Sequence, residues 1–66
     1  MNNIGYQLKQ ARLKHQMDQE ELAFLTDLHV ETISAIEEEM VDVQVSILYK
    51  LSHVLKCTFS IGDMTI

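Results

Sequence analysis

The sequence predicts an all-α domain of four helices with a short strand-like tail. Three observations carry that prediction. Apolar residues recur at helical spacing through most of the chain. Proline is absent, and the two glycines, Gly5 and Gly62, lie near the ends. Past Leu55 the period shortens to two, with Cys57, Phe59 and Ile61 alternating with Thr58 and Ser60.

The first helix is expected over about residues 4–15, where Ile4, Leu8, Ala11 and His15 mark one face and Arg12 lies beside them. Asp18 followed three residues later by Glu21 is a capping-box-like start for a second helix, which runs to about Thr26 with Leu22 and Ala23 inward. Asp27-Leu28-His29 is the turn. A third helix covers about residues 30–38 with Ile33 and Ile36 inward. After a loop over 39–43, a fourth covers about 44–55 with Val45, Leu48, Leu51 and Leu55 as its stripe. The alternation in the tail is interrupted at Gly62-Asp63. A lone strand leaves costly unpaired backbone groups. The expectation is therefore that this strand pairs with the same strand of a second copy, with Cys57, Phe59 and Ile61 at the dimer interface.

At 66 residues the chain is one domain over 1–66, with a helical body at 4–55 and a tail at 57–66. Domains this small are marginal alone, so oligomerisation is a common aid. The single cysteine excludes an internal disulfide and suits a reducing compartment. The chain has no run of about 18 apolar residues to span a membrane. Its N-terminal stretch lacks the layout of a signal peptide. A cytoplasmic protein is expected.

Several chemistries find no support. There is no Gly-rich phosphate loop, no HExxH and no triad in context, so catalysis is not expected. His53 and Cys57 are four apart, but a zinc site needs three or four ligands, and His15 and His29 are scattered. Cys57 reads as a small buried apolar group. No metal and no cofactor is expected.

The stretch IGYQLKQARLKHQMDQEELAFLTDLHVETISAIE resembles the Cro/C1-type (XRE) helix-turn-helix family. The matching register runs through Ile4, Leu8 and Arg12, then Gln19 to Ala23, then Thr32-Ile33-Ser34 and Ile36-Glu37. Leu48, Leu51 and Leu55 match the family's fourth-helix stripe. The resemblance spans about residues 4–59. The tail is similar, more loosely, to the C-terminal strand of HipB-type antitoxins. The resemblance implies a four-to-five-helix lambda-repressor-like domain that places its third helix in the DNA major groove, its second crossing the backbone. It puts Gln19 near a phosphate and Gln19, His29, Val30, Glu31, Thr32 and Ala35 among the DNA-contacting positions. It also implies an ion pair between Arg12 and Glu37.

The expected contact surface is acidic and apolar, and the net charge is −5. Val30, Glu31 and Ala35 stand where the family often has polar or basic residues. Its Glu-x-Gly helix ending becomes Glu37-Glu38-Glu39, followed by Met40-Val41-Asp42. Glu31 can accept from a cytosine amino group, and Val30 can contact a thymine methyl. Phe24 and Leu25, with Leu28, Met40, Val41 and Val43 nearby, form a candidate apolar interface, and Phe24, Leu25, Glu38 and Glu39 a candidate partner surface. Two function classes follow. One is a homodimeric transcriptional regulator, a small repressor or antitoxin-like autoregulator, on palindromic DNA. The other is a protein-interaction module on the same scaffold that binds a protein partner such as a toxin.

Overall fold

The computed structural model describes residues 3–66; Met1 and Asn2, part of the N-terminal stretch read above for a signal peptide, lie outside it. Helices α1 (Ile4–Lys14), α2 (Gln19–Thr26), α3 (Val30–Glu37) and α4 (Val45–Leu55) are followed by strands β1 (Ser60–Ile61) and β2 (Met64–Thr65). The helical body and short β tail are those read from the sequence, with four helices among the described residues.

The helices converge on one core. Leu8 of α1, Leu22 and Ala23 of α2, Ile33 and Ile36 of α3, and Leu48, Leu51 and Leu55 of α4 are buried together with Phe59. Burying each large side chain stabilises by roughly 1.5–3 kcal/mol, so no single contact dominates. Asp18 starts α2 as expected, its Oδ1 accepting from the Glu21 amide at 2.7 Å. Asp27 ends α2 in the left-handed conformation, at φ 58. Thr26 is buried at that end, and its hydroxyl donates to the Leu22 carbonyl at 2.7 Å. The turn to α3 therefore needs no glycine.

Gly5 sets how closely α1 meets α3. A Cβ there would overlap the Ile36 carbonyl oxygen and come within 2.7 Å of both the Glu37 carbonyl oxygen and the Glu39 side-chain stem. The first turn of α1 is thus pressed against the carbonyl end of α3, and only a residue without a side chain fits.

Three expectations are corrected. The tail is not an unpaired strand: β1 and β2 form an antiparallel hairpin within the chain, pairing Ser60 with Thr65 and Ile61 with Met64. Gly62, at φ 59, occupies the first position of the two-residue loop, where a primed hairpin turn calls for positive φ. Phe59 and Ile66 extend the ladder, each amide donating to the other's carbonyl at 2.9 Å. Phe59 is fully buried in its own chain's core, so it is not the dimer-interface residue expected of the tail. Second, Val45 is exposed rather than inward. At about 100° per residue it falls at the margin of the Leu48, Leu51 and Leu55 stripe. Third, His15 caps the end of α1 at the surface instead of packing inward, and its Nε2 lies 2.6 Å from the Leu55 carbonyl oxygen. A carbonyl only accepts, so that nitrogen carries the proton.

Candidate nucleic-acid interface

The spacing of α3 determines what it presents. Ile33 and Ile36 are buried, and Val30 is half-buried against the same core. Glu31, Ala35 and Glu38, at i, i+4 and i+7, share the opposite stripe. His29 precedes the helix as an exposed N-cap whose side chain makes no capping bond. Thr32 and Ala35 are half-buried, and Glu31 is exposed. The outward face thus offers a carboxylate acceptor, a hydroxyl and an imidazole at the N-terminal half of one short helix. Those groups suit base edges in a major groove.

Beneath this face lies an ion pair. Arg12 Nε donates to Glu37 Oε2 at 2.7 Å and its Nη2 to Oε1 at 3.1 Å, with side-chain exposures of 9% and 3%. Its remaining terminal nitrogen donates to the Met17 carbonyl at 2.8 Å. The bonds to Glu37 hold the guanidinium pKa above its usual value, against the opposing effect of burial. Arg12 therefore ties α1, the α1–α2 turn and α3 together, and it is not available to a phosphate.

Gln19 belongs to the same network. Its Nε2 donates to Glu37 Oε1 at 3.1 Å, which ties the start of α2 to the ion pair. The amide end of α2 also holds the Asp18 carboxylate, which occupies the Glu21 amide and adds negative charge there. Glu20 and Glu21 are exposed beside it.

The charge around the face is acidic. Glu38, Glu39 and Asp42 are exposed, and Glu38 accepts from the Ser34 hydroxyl at 3.1 Å. Among the described residues Lys9, Lys14, Lys50 and Lys56 are the exposed cations, two on α1, one on α4 and one at its end. Phe24 is 84% exposed, with Leu25, Met40 and Val41 also outside, while Leu28 and Val43 pack on the core. The apolar surface is thus smaller than the sequence suggested. Among the described residues no three potential ligands gather as a metal site. Cys57 is half-buried, and that burial raises its thiol pKa more than nearby Lys14 lowers it.

Two residues that fix how α1 packs carried weaker signals. Gly5 sits where helical periodicity gives a glycine no special role. Gln7 is an ordinary helix residue by propensity, yet its side-chain amide donates to the Ser60 carbonyl at 2.9 Å and accepts from the Ser60 amide at 2.8 Å.

No helix among the described residues is long and apolar enough to cross a membrane. No curated protein matches the chain. The helix-turn-helix family model matches residues 8–61, which take in Arg12, Glu37, both helices of the motif and β1. The chain therefore belongs to the Cro/C1-type (XRE) helix-turn-helix family, a family of DNA-binding regulatory domains and not of enzymes.

Proposed function

We propose that this chain is a sequence-specific transcriptional regulator, a small repressor or antitoxin-like autoregulator that acts as a homodimer on palindromic DNA. The outward stripe of α3 carries the reading. His29, Glu31 and Thr32 stand at its N-terminal half, supported from behind by the Arg12–Glu37 pair. Ala35 lies on that stripe and Val30 at its edge, and Gln19 acts through Glu37. A two-fold dimer would place two such helices in successive major grooves.

The hairpin suggests where a strand-paired dimer would form. Phe59 and Ile66 exchange both bonds, so Ser60 and Thr65 are the non-hydrogen-bonded pair and their backbone groups point outward. Gln7 already occupies those of Ser60. The outer edge of β2, at Thr65, is the edge for a second copy, with half-buried Cys57 and Ile61 supporting the hairpin behind it.

A protein-interaction module is the second reading. The buried Arg12 and the exposed Glu31, Glu38, Glu39 and Asp42 favour it, with Phe24 and Leu25 as further contact surface for a partner such as a toxin. A mobility shift against DNA flanking the chain's own gene, with and without the neighbouring gene's product, tests both. A shift with the chain alone supports the regulator. A complex between the two proteins with no DNA shift overturns it in favour of the module.

A further inference from the structure

The exposed charges are sorted by helix. Helices α1 and α4 contain no carboxylate side chain, and α2 and α3 contain no lysine or arginine. Apart from Asp63 in the hairpin loop, every carboxylate side chain lies between Asp18 and Asp42. Among the described residues none of the four lysines pairs with a carboxylate; the ion pair is Arg12 with Glu37. Helix dipoles account for Lys14 and Lys56 at helix C-termini and for Glu20 and Glu21 at a helix N-terminus. They account neither for Lys50 in the middle of α4 nor for the aromatic ring that stands in each charged face.

On α2, Glu20, Phe24 and Asp27, at i, i+4 and i+7, share the outer stripe, with Glu21 beside it. Phe24 is 84% exposed at the centre of these carboxylates, and Leu25 is exposed next to it. On α4, Tyr49, Lys50, His53 and Lys56 face outward from the buried leucine stripe, and Tyr49 is 60% exposed. The contact between His15 Nε2 and the Leu55 carbonyl brings the end of α1 to the end of α4 and places Lys14 near Cys57, just past Lys56. Each face thus holds an aromatic side chain in water among charges of one sign, and the two signs are opposite. Exposed aromatic surface of this kind marks an interface, and complementary charge selects its partner. The chain itself supplies both halves.

We infer that the two faces dock on each other between copies of this chain, α2 of one copy on α4 of the next. Phe24 packs against Tyr49, and Glu20 and Glu21 meet Lys50 and Lys56. Such a contact is heterologous and repeats from copy to copy. It uses neither the two-fold edge at Thr65 nor the outward stripe of α3, so it goes beyond the regulator reading and does not depend on it. With one aromatic pair at its centre the contact is small, so the association is weak and sensitive to salt.

Sedimentation velocity of the full chain tests this without DNA. The mean mass should rise with concentration at about 0.01 M salt and fall back at about 1 M, where the screening length drops from about 30 to 3 Å. Glu20→Lys with Glu21→Lys makes both faces basic, and Lys50→Glu with Lys56→Glu makes both acidic. All four side chains are exposed, so the fold is retained. Each variant alone should self-associate at least about tenfold more weakly, because like charges now meet. An equimolar mixture of the two should recover the association, since each face again finds its opposite. Phe24→Ser should weaken the wild type without changing its melting. Glu31→Lys with Glu38→Lys shifts net charge as the α2 variant does but lies on α3, and it should still associate. A mean mass indifferent to salt overturns the inference. So does a mixture no heavier than its components, or association of either inverted variant as strong as wild type. That last result is the behaviour of a dimer paired only at Thr65.

Discussion

The side-chain amide of Gln7 bonds the backbone of Ser60 in both directions, at 2.9 and 2.8 Å, and so takes the place of a third strand beside β1. This contact joins α1 to a hairpin whose strands are only two residues long. Isolated hairpins are marginal in water, so such a tether matters. It also closes one edge that would otherwise invite pairing. Gln7→Ala should cost about 1 kcal/mol, typical of a net hydrogen bond. Exchange of the Ser60 amide should speed up, while amides in α4 change little. Unaltered exchange at Ser60 would show that the hairpin holds itself in place.

The Arg12–Glu37 pair predicts a sharp contrast between adjacent glutamates. Removing one partner of a buried pair costs about 3–5 kcal/mol because the other charge is stranded. Glu37→Ala also takes the acceptor from Gln19. It should lower the melting temperature sharply, since total stability at this size is about 5 kcal/mol or somewhat more. Glu38→Ala loses only an exposed bond to Ser34 and should melt close to wild type. Equal, small effects would contradict the structural role of the pair.

Gly5→Ala should destabilise although alanine is the better helix former. The propensity gain of roughly 1 kcal/mol is outweighed by overlap with two backbone carbonyls, which cannot rotate away. Overpacking of this kind costs about 1–3 kcal/mol. A urea midpoint at or above wild type would mean that α1 can shift freely against α3.

Glu39→Gly should act in the opposite sense. Glu39 ends the α3 region with φ 57, a conformation that costs a side-chain-bearing residue roughly 1–2 kcal/mol. Glycine removes that cost and the charge at the negative end of α3, and gives back about 0.5–1 kcal/mol in unfolded-state entropy. A net gain of about 1 kcal/mol is expected in urea unfolding. Glu39→Ala removes the charge but keeps the backbone strain, so it should gain much less. Equal gains from the two would assign the effect to charge alone.

Much of this was legible in the sequence, for physical reasons that differ by element. Leu8, Leu22, Ile33, Ile36 and the α4 leucines follow helical period because each helix buries one face. Asp18 and Glu21 marked the start of α2 because capping is local chemistry. The hairpin was missed at Gly62-Asp63. The change of parity there read as an interruption, whereas it is what a two-residue reversal produces. Gly5, Gln7 and the role of Gln19 were hidden for another reason. Each depends on a partner far along the chain: Ile36, Ser60 and Glu37, respectively. Periodicity within one helix does not contain such contacts.

The acidic face makes a distinct prediction for DNA binding. With Arg12 engaged in its ion pair, the mobile cations among the described residues are Lys9, Lys14, Lys50 and Lys56. The logarithm of affinity falls by about 0.9 per neutralised phosphate for each decade of salt. So few cations give a shallow slope, very weak non-specific binding, and specificity that leans on base and shape contacts. Glu38→Gln with Glu39→Gln removes repulsion from phosphates and should strengthen binding to all duplexes about equally. Glu31→Gln should instead change which sequence is preferred, because Glu31 lies on the outward stripe at the N-terminal half of α3 and amide and carboxylate pair with different base edges. Titration of wild type and both variants against an operator and a scrambled duplex, at two salt concentrations, separates these effects. If wild type binds neither duplex and the double neutralisation restores only non-specific binding, α3 is not a reading head, and the acidic face belongs to a protein partner.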